Sequence, residues 1–413
     1  MNPFPLALRN LTRNPRRTAL SLAVVASGAA AIVLTAGFVR FSFDGLREAM
    51  IHGGLGHLEV AVAAEVGRRS GGTLDRAPSL GGWRELRAEI ERLPRVAAVG
   101  ANLHVMGLVQ RADGAAVSFA GVGVEPDRER AMGFVTKLRA GVPLPASPPA
   151  AGADVAQLAV GLAESLGVDV GDSLTLLTAR ADGMLSALDV RVAGLFTTGV
   201  AELDTRLLKL PLASAMRLAE TDEVSNLLVG LDDTRDTAAA LAAVERLVAG
   251  RDPALAVTPW PERAPFYGQV RDLYLGIFAF LGSVVVLLVV LAASNTLVMT
   301  VFERLRELGT LRAIGTTPAQ IVALLLAEAL WLGALGGALG AALGALGVAG
   351  LNALDLRMPP PPGAVDPLDL RLAYVPEAMA GAALLMLAVL ALAALVPILR
   401  VLRLRVVEAL GHV

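Results

Sequence analysis

The stretch from Leu273 to Phe302, LYLGIFAFLGSVVVLLVVLAASNTLVMTVF, contains no charged residue. Bilayer hydrocarbon is ~30 Å thick and a helix rises ~1.5 Å per residue, so about 20 residues suffice to cross it. This run is longer than one crossing needs, and the surplus is expected to project as a stalk. Three more runs share its character: Thr18 to Val39, Pro318 to Leu354 with Glu328 as its single charge, and Ala378 to Leu399 between Glu377 and Arg400. Thr317 and Pro318 supply a helix cap and a first helical residue, and Pro397 is expected to bend or end the last helix. The first run is longer than the ~7–15 residues of a signal-peptide core and continues into Arg40-Phe41-Ser42-Phe43-Asp44, so it reads as an uncleaved anchor.

The fold class that follows is an α+β membrane protein, with four transmembrane helices and a two-lobed α+β extracytoplasmic domain between helices 1 and 2. The expected segments are 1–17, helix 1 at 18–39, the domain at 40–272, helix 2 with its stalk at 273–302, a loop at 303–317, helix 3 at 318–354, a loop at 355–377, helix 4 at 378–399 and a tail at 400–413. Arginine placement orients them. Arg9, Arg13, Arg16 and Arg17 precede helix 1; Arg304, Arg306 and Arg312 lie between helices 2 and 3; Arg400, Arg403 and Arg405 follow helix 4. The loop after helix 3 holds only Arg357 and Arg371, beside Asp355, Asp366 and Asp369. The positive-inside rule then puts both termini and the 303–317 loop in the cytoplasm and the large domain outside.

Composition narrows the chemistry. The chain is 55% hydrophobic with a mean hydropathy of +0.61, too apolar for an ordinary soluble protein. A net charge of −2 argues against nucleic acid as a partner. Cysteine is absent, which removes disulfides and thiolate sites, and four histidines make a histidine-rich zinc centre unpromising. The two lysines, Lys137 and Lys209, stand outside any Gly-Lys-Ser/Thr context, so no Walker-type phosphate loop is present. No cofactor is expected on this chain, and any nucleotide is bound by another subunit.

Within the domain, 57–63, 96–109 and 116–124 read as strands, with a turn at Asp113-Gly114, and 83–93 as a helix. The Pro/Ala/Gly-rich stretch near 140–152 reads as a linker between two lobes. Beyond it a helix is expected over 155–166, strands at 173–178, 189–195, 206–210, 224–231 and 255–258, and helices at 211–219 and 236–248. Catalytic groupings are weak. His52 and His57 flank Gly53-Gly54-Leu55-Gly56, which reads as a hinge rather than a metal site. Asp182, Glu202 and Asp204 read as solvated loop charges. No catalytic residues and no metal ligands are assigned.

The 303–317 loop says more. Leu305, Leu308, Leu311 and Ile314 recur every three residues, and a short amphipathic helix would gather them on one face. Two readings stay open: an interfacial helix, or a docking element for a cytoplasmic partner, with the mixed charges of Glu303, Arg304, Arg306 and Glu307 favouring docking. In helix 3, Gly336, Gly340 and Gly344, with Gly333 and Gly337, form a small-residue stripe for close helix packing. Glu328 reads as lying near the cytoplasmic interface, ahead of a proton-relay role.

Residues 295–315 (NTLVMTVFERLRELGTLRAIG) resemble the signature of the FtsX-like permease domain of ABC transporters of the MacB and lipoprotein-releasing type. The likeness continues through Glu328 and the glycine stripe to Val396-Pro397 and Val407-Glu408-Ala409-Leu410. Gly56-His57-Leu58-Glu59-Val60 and Gly171-Asp172 resemble that family's periplasmic core domain. The resemblance implies an inner-membrane permease that dimerises with itself or with a similar permease. It also implies docking of a separate ATPase, which carries ATP and magnesium, through a coupling segment of Glu303, Arg304, Arg306, Glu307, Leu308, Gly309, Arg312 and Gly315. A periplasmic lipoprotein carrier or adaptor is a further implied partner. Gly56-His-Leu-Glu-Val and Glu202-Leu-Asp204-Thr-Arg206 lean toward lipoprotein release; MacB-type efflux and FtsX-type signalling to a cell-wall hydrolase stay open beside it.

Overall fold

The computed structural model describes residues 3–63, 80–146, 154–179, 184–358 and 368–403. In chain order the elements are α1 (Pro3–Arg13), α2 (Pro15–Met50), β1 (Leu58–Val62), α3 (Trp83–Ile90), β2 (Val96–Arg111), β3 (Ala116–Val124), α4 (Pro126–Ala131), β4 (Lys137–Gly141), β5 (Asp154–Ala159), α5 (Val160–Leu166), β6 (Ser173–Ala179) and β7 (Leu185–Thr197). There follow α6 (Ala201–Asp204), β8 (Leu207–Pro211), α7 (Leu212–Ala219), β9 (Asn226–Leu231), α8 (Thr237–Arg251), β10 (Leu255–Pro259) and α9 (Trp260–Arg263). The chain closes with α10 (Pro265–Glu303), α11 (Leu305–Ala313), α12 (Pro318–Ala353), β11 (Arg357–Met358), β12 (Leu368–Asp369), α13 (Pro376–Ala393) and α14 (Leu395–Arg403). Contacts divide the chain into a helical unit (1–44, 270–358, 369–413) and an α/β unit (45–269 with 359–368).

Among the described residues, four helices are long and apolar enough to cross a membrane. The first and second run beyond the 18–39 and 273–302 read from charge alone, because charged and aromatic residues at their ends continue the helix. Their core gathers Val25, Ala29 and Val33 of α2, Val289, Ala293 and Leu297 of α10, Leu325 and Ala329 of α12, and Met386 and Leu390 of α13. The last helix breaks at Ala394, between α13 and α14. Pro397 has no N–H to give the carbonyl of Ala393 four residues back, and the Ser294 hydroxyl donates to that oxygen instead (3.1 Å).

In the α/β unit the strands form one sheet in the order β10-β1-β9-β2-β3-β8-β5-β7-β4, with β6 pairing β2 and β7. The long β2 joins its halves. Val96 to Asn102 pair with β9, Leu103 to Gln110 with β3, and Gly107 to Arg111 also with β6. At Gly107 a β-carbon would strike the Leu177 carbonyl oxygen, so only glycine lets β6 approach there. Leu103, Val105, Phe119, Leu158, Leu208, Leu227 and Val229 belong to one continuous core, and each fully buried side chain of this size contributes roughly 1.5–3 kcal/mol.

Two expectations are corrected here. No division into two lobes falls near 140–152: β4, which ends at Gly141, and β5, which begins at Asp154, both pair with β7, and Gln157 donates to the Val142 carbonyl (3.0 Å), while 147–152 lie outside the described residues. Residues 155–166 are not one helix but strand β5 followed by helix α5. Ala156 to Ala159 of β5 are buried one after another, so both faces of the strand are covered there and the polar alternation of a half-exposed strand is missing.

Candidate coupling site

The helical unit has a polar end where α1, α2, α10, α11 and α12 meet. α10 stops at Glu303, Arg304 leaves the helical region (φ −105°, ψ 15°), and α11 starts at Leu305. After Ala313 the chain turns through Gly315 at φ +101°, a conformation that strains any residue with a β-carbon. Thr317 then caps α12: its hydroxyl accepts from Gln320 N–H, and the Gln320 side chain accepts from Thr317 N–H (3.0 Å).

Three arginines and three carboxylates interlock at this end. Arg17 Nη1 pairs with Glu303 Oε2 at 2.6 Å, and its other nitrogen donates to the Thr296 carbonyl. Arg13 Nη1 meets Glu307 Oε1 at 2.8 Å. Arg304 reaches both Glu307 (3.1 Å) and Glu328 (2.9 Å), and the Asn10 amide donates to the same Glu328 oxygen (2.6 Å). Arg304, with Arg13, holds the Glu307 carboxyl below the ordinary carboxylate range. The Glu328 side chain is 4% exposed and that of Arg304 17%, so this pair is largely removed from water. Beneath the ion pairs lies a cavity of about 240 Å³, floored by Leu11, Leu297 and Leu332. Trp331 fastens α1 from the side, its indole N–H donating to the Phe4 carbonyl (3.2 Å).

α11 has two faces. Leu305, Leu308 and Gly309 are buried and Arg312 half-buried, whereas Arg306, Thr310, Ala313, Ile314 and Gly315 are exposed, as is Phe302 just before the break. Ile314, expected with the leucines, is 75% exposed. At about 100° per residue, nine residues bring a side chain to the side opposite Leu305, so a strict three-residue repeat drifts off its own face. The expected coupling residues therefore divide. Glu303, Arg304 and Glu307 are held by ion pairs, Leu308 and Gly309 pack inward, and Arg306 and Gly315 face outward.

The glycines of α12 also divide. A β-carbon on Gly336 would lie 2.7 Å from Val25 and one on Gly344 2.7 Å from Val33, and Gly340 abuts Ala26 and Ala29, all on α2. Gly333 and Gly337 face α13 instead, with β-carbons 2.9 Å from Leu387 Cα and 3.0 Å from Ala383 Cα.

Sequence reasoning missed Asn10, Arg13, Arg17 and Glu328 as one cluster. The available signal was Glu328 itself: a lone acid in an apolar run requires a partner. The domain's weaker candidates resolve differently. Asp204 is not a solvated loop charge but buried, accepting from the Thr197 hydroxyl (2.5 Å) and from the Thr198 N–H (2.8 Å) and hydroxyl (2.7 Å). Glu202 is exposed, and Asp182 lies outside the described residues. His57 is not part of a loose hinge: it is 1% exposed, its Nδ1 accepts from Leu231 N–H and its Nε2 meets the Thr234 hydroxyl, each at 3.1 Å. Glu48 lies 3.3 Å from His52, an acidic neighbour the sequence did not suggest. Burial, reinforced by the nearby His52, lowers the His57 pKa to about 4.

Among the described residues, four helices long and apolar enough to cross a membrane, an α/β domain after the first and a short helix between the second and third give the layout of a membrane-embedded protein. The profile of the MacB-like periplasmic core domain matches residues 18–247, more than half the chain, and that of the FtsX-like permease C-terminal domain matches 279–406. The chain belongs to this family of FtsX-like ABC-transporter permeases with a MacB-like core domain. It is 30% identical over 185 residues to the lipoprotein-releasing system transmembrane protein LolC of Neisseria meningitidis serogroup B. That match takes in 43% of this chain and 44% of LolC, less than half of either. Similar solved structures include the periplasmic region of MacB from Actinobacillus actinomycetemcomitans (12% identity, 51% of this chain and 91% of that one, TM-score 0.38). The extracellular domain of the ABC-type transporter YknZ from Gram-positive bacteria is another (13% identity, 49% and 98%, TM-score 0.35).

Proposed function

We propose that this chain is the membrane subunit of an inner-membrane ABC transporter in which a separate cytoplasmic ATPase, binding ATP and magnesium, drives movement of the periplasmic domain. Both termini and α11 lie in the cytoplasm in this reading, as the arginine distribution supports. The observation that carries it is the two-faced α11. Glu307 of α11 is ion-paired to Arg13 of α1, and the joint just before α11 is held to α2 by Arg17–Glu303 and to α12 by Arg304–Glu328, so a push on the outer face of α11 reaches three helices together. The outer face, with Phe302, Arg306, Thr310 and Ile314, is the docking surface; Arg304 and Glu307 act by holding it in place.

Lipoprotein or related lipidic cargo is the favoured substrate. On the outward side of the sheet, Leu108 stands across from Leu177, and Leu177 from Ala187, while Met106, Met184 and Leu185 are each about half exposed or more. An exposed apolar sheet face of this kind suits an acyl chain or its carrier better than a polar solute. The likeness to LolC supports the same reading. Efflux of small molecules or peptides, and signalling to a cell-wall hydrolase, are the competing readings; a homodimer or a heterodimer with a similar permease would complete the transporter.

The test is co-purification with the ATPase, followed by identification of co-eluting cargo. Arg306→Glu with Ile314→Asp should abolish ATPase capture while the ion-paired end stays intact. Retained capture would remove α11 as the docking element. Lipid-modified protein trapped on the ATP-hydrolysis-deficient complex supports the cargo, and its absence there counts against it.

A further inference from the structure

The α/β unit contains one ion pair more deeply buried than those of the coupling end. Glu59 of β1 and Arg263 of α9 have side chains only 1% and 5% exposed, with Arg263 Nε 2.9 Å from Glu59 Oε2. The other Glu59 oxygen takes the Asn226 side-chain amide from β9, and Arg263 Nη1 donates to the carbonyl of Leu55. Leu55 ends the turn Ile51–Leu55 that follows α2, and Arg263 ends α9 two residues before α10 begins. One guanidinium thus ties together the place where the chain leaves the first long helix and the place where it joins the second.

The surroundings brace the same junction. β1 and β10 are antiparallel neighbours, Leu58 opposite Pro259, so both connections run side by side through the sheet. Trp260 N–H donates to the His57 carbonyl (3.0 Å), and the Trp260 ring packs edge-on against Tyr267 at 5.0 Å between centroids. A buried ion pair contributes little stability over apolar residues of the same volume, because desolvation offsets the attraction. It does fix geometry, since one rigid planar guanidinium sets its Nε against the Glu59 carboxylate while its Nη1 donates to the Leu55 carbonyl, and both contacts are met only in one arrangement.

We propose that Glu59 and Arg263 are positioning residues that lock the ends of the two long helices together, so that the domain receives their movement as a single displacement. The functional half of this proposal rests on the ATP-driven reading above; the structural half does not.

The chain has no cysteine, so paired Gly53→Cys and Gly268→Cys substitutions give unique spin-label sites, and a β-carbon at either glycine meets nothing within 4 Å. In the full chain with Glu59 and Arg263 intact, the label-to-label distance should be narrow and the same with or without nucleotide-bound ATPase. Glu59→Leu with Arg263→Met replaces the pair by apolar groups of similar volume. It should lower the melting temperature only modestly, because the Asn226 amide and the Leu55 carbonyl each lose a partner, at least double the width of the distance distribution, and lower cargo extraction at least tenfold while ATP hydrolysis continues. An unchanged width in the folded double variant overturns the lock, and unchanged extraction overturns its role in coupling. If that variant does not fold, Arg263→Lys keeps the charge but loses the two-point fork: a wider distribution at an unchanged melting temperature supports the lock, an unchanged width refutes it. Failure of nucleotide to drive cargo extraction by the unsubstituted complex would instead defeat the ATP-driven reading and leave the width measurement standing.

Discussion

Replacing Arg304 by Met should cost about 3 kcal/mol of stability, more than replacing its partner Glu328 by Leu. The asymmetry follows from what each substitution leaves behind. Without Arg304, the Glu328 carboxylate stays 4% exposed with the Asn10 amide still donating to it, and an uncompensated buried charge costs roughly 3–5 kcal/mol. Without Glu328, Arg304 keeps Glu307 at 3.1 Å and some contact with water, so about 2 kcal/mol is expected. The double variant removes both charges and leaves the Asn10 amide without its acceptor, for a cost of about 2 kcal/mol. The cycle then gives a coupling of about 3 kcal/mol between the two side chains. Equilibrium unfolding in mixed micelles, followed by the far-ultraviolet circular dichroism of the helices, measures all four proteins. An Arg304→Met cost below about 1 kcal/mol, or single effects that simply add in the double variant, would show that the pair does not hold α11 to α12.

Acid should weaken the α/β unit through His57. Its folded pKa of about 4 lies below the unfolded 6.5, so the unfolded chain binds the extra proton between these values. Stability is complete above pH 6.5 and falls by about 3 kcal/mol as pH drops to 4. His57→Gln should flatten this part of the stability profile, and equal slopes for both proteins would refute the assignment. In the helical unit, Gly336→Leu against Val25 and Gly337→Leu against Ala383 should each cost about 1–3 kcal/mol by overpacking. Gly350→Ala, which meets nothing within 4 Å, should lower the melting temperature not at all.

The apolar runs needed no tertiary information, because hydrocarbon imposes its length on any helix that crosses it. Most strands of the domain were also legible, since one covered face leaves an alternation along the chain. Where that rule was absent the reading failed. β5 is buried on both faces over Ala156–Ala159, and its apolar run over 155–166 reads as a helix. Ile314 was assigned to the leucine face by a three-residue repeat that a helix of 3.6 residues per turn cannot maintain.

The sequence by itself placed four apolar runs and a large domain after the first, carried the resemblance to FtsX-like permeases, and singled out residues 303–315 as the candidate coupling segment. Composition, arginine placement and local periodicity are properties of neighbouring residues, and a linear reading captures them. The tertiary structure decided which of those residues turn inward. Glu328 meets Arg304 across 24 positions, Arg17 meets Glu303 across 286, and Arg263 meets Glu59 across 204. Each buried charge must find an opposite one once water is gone, and folding, not proximity along the chain, supplies it.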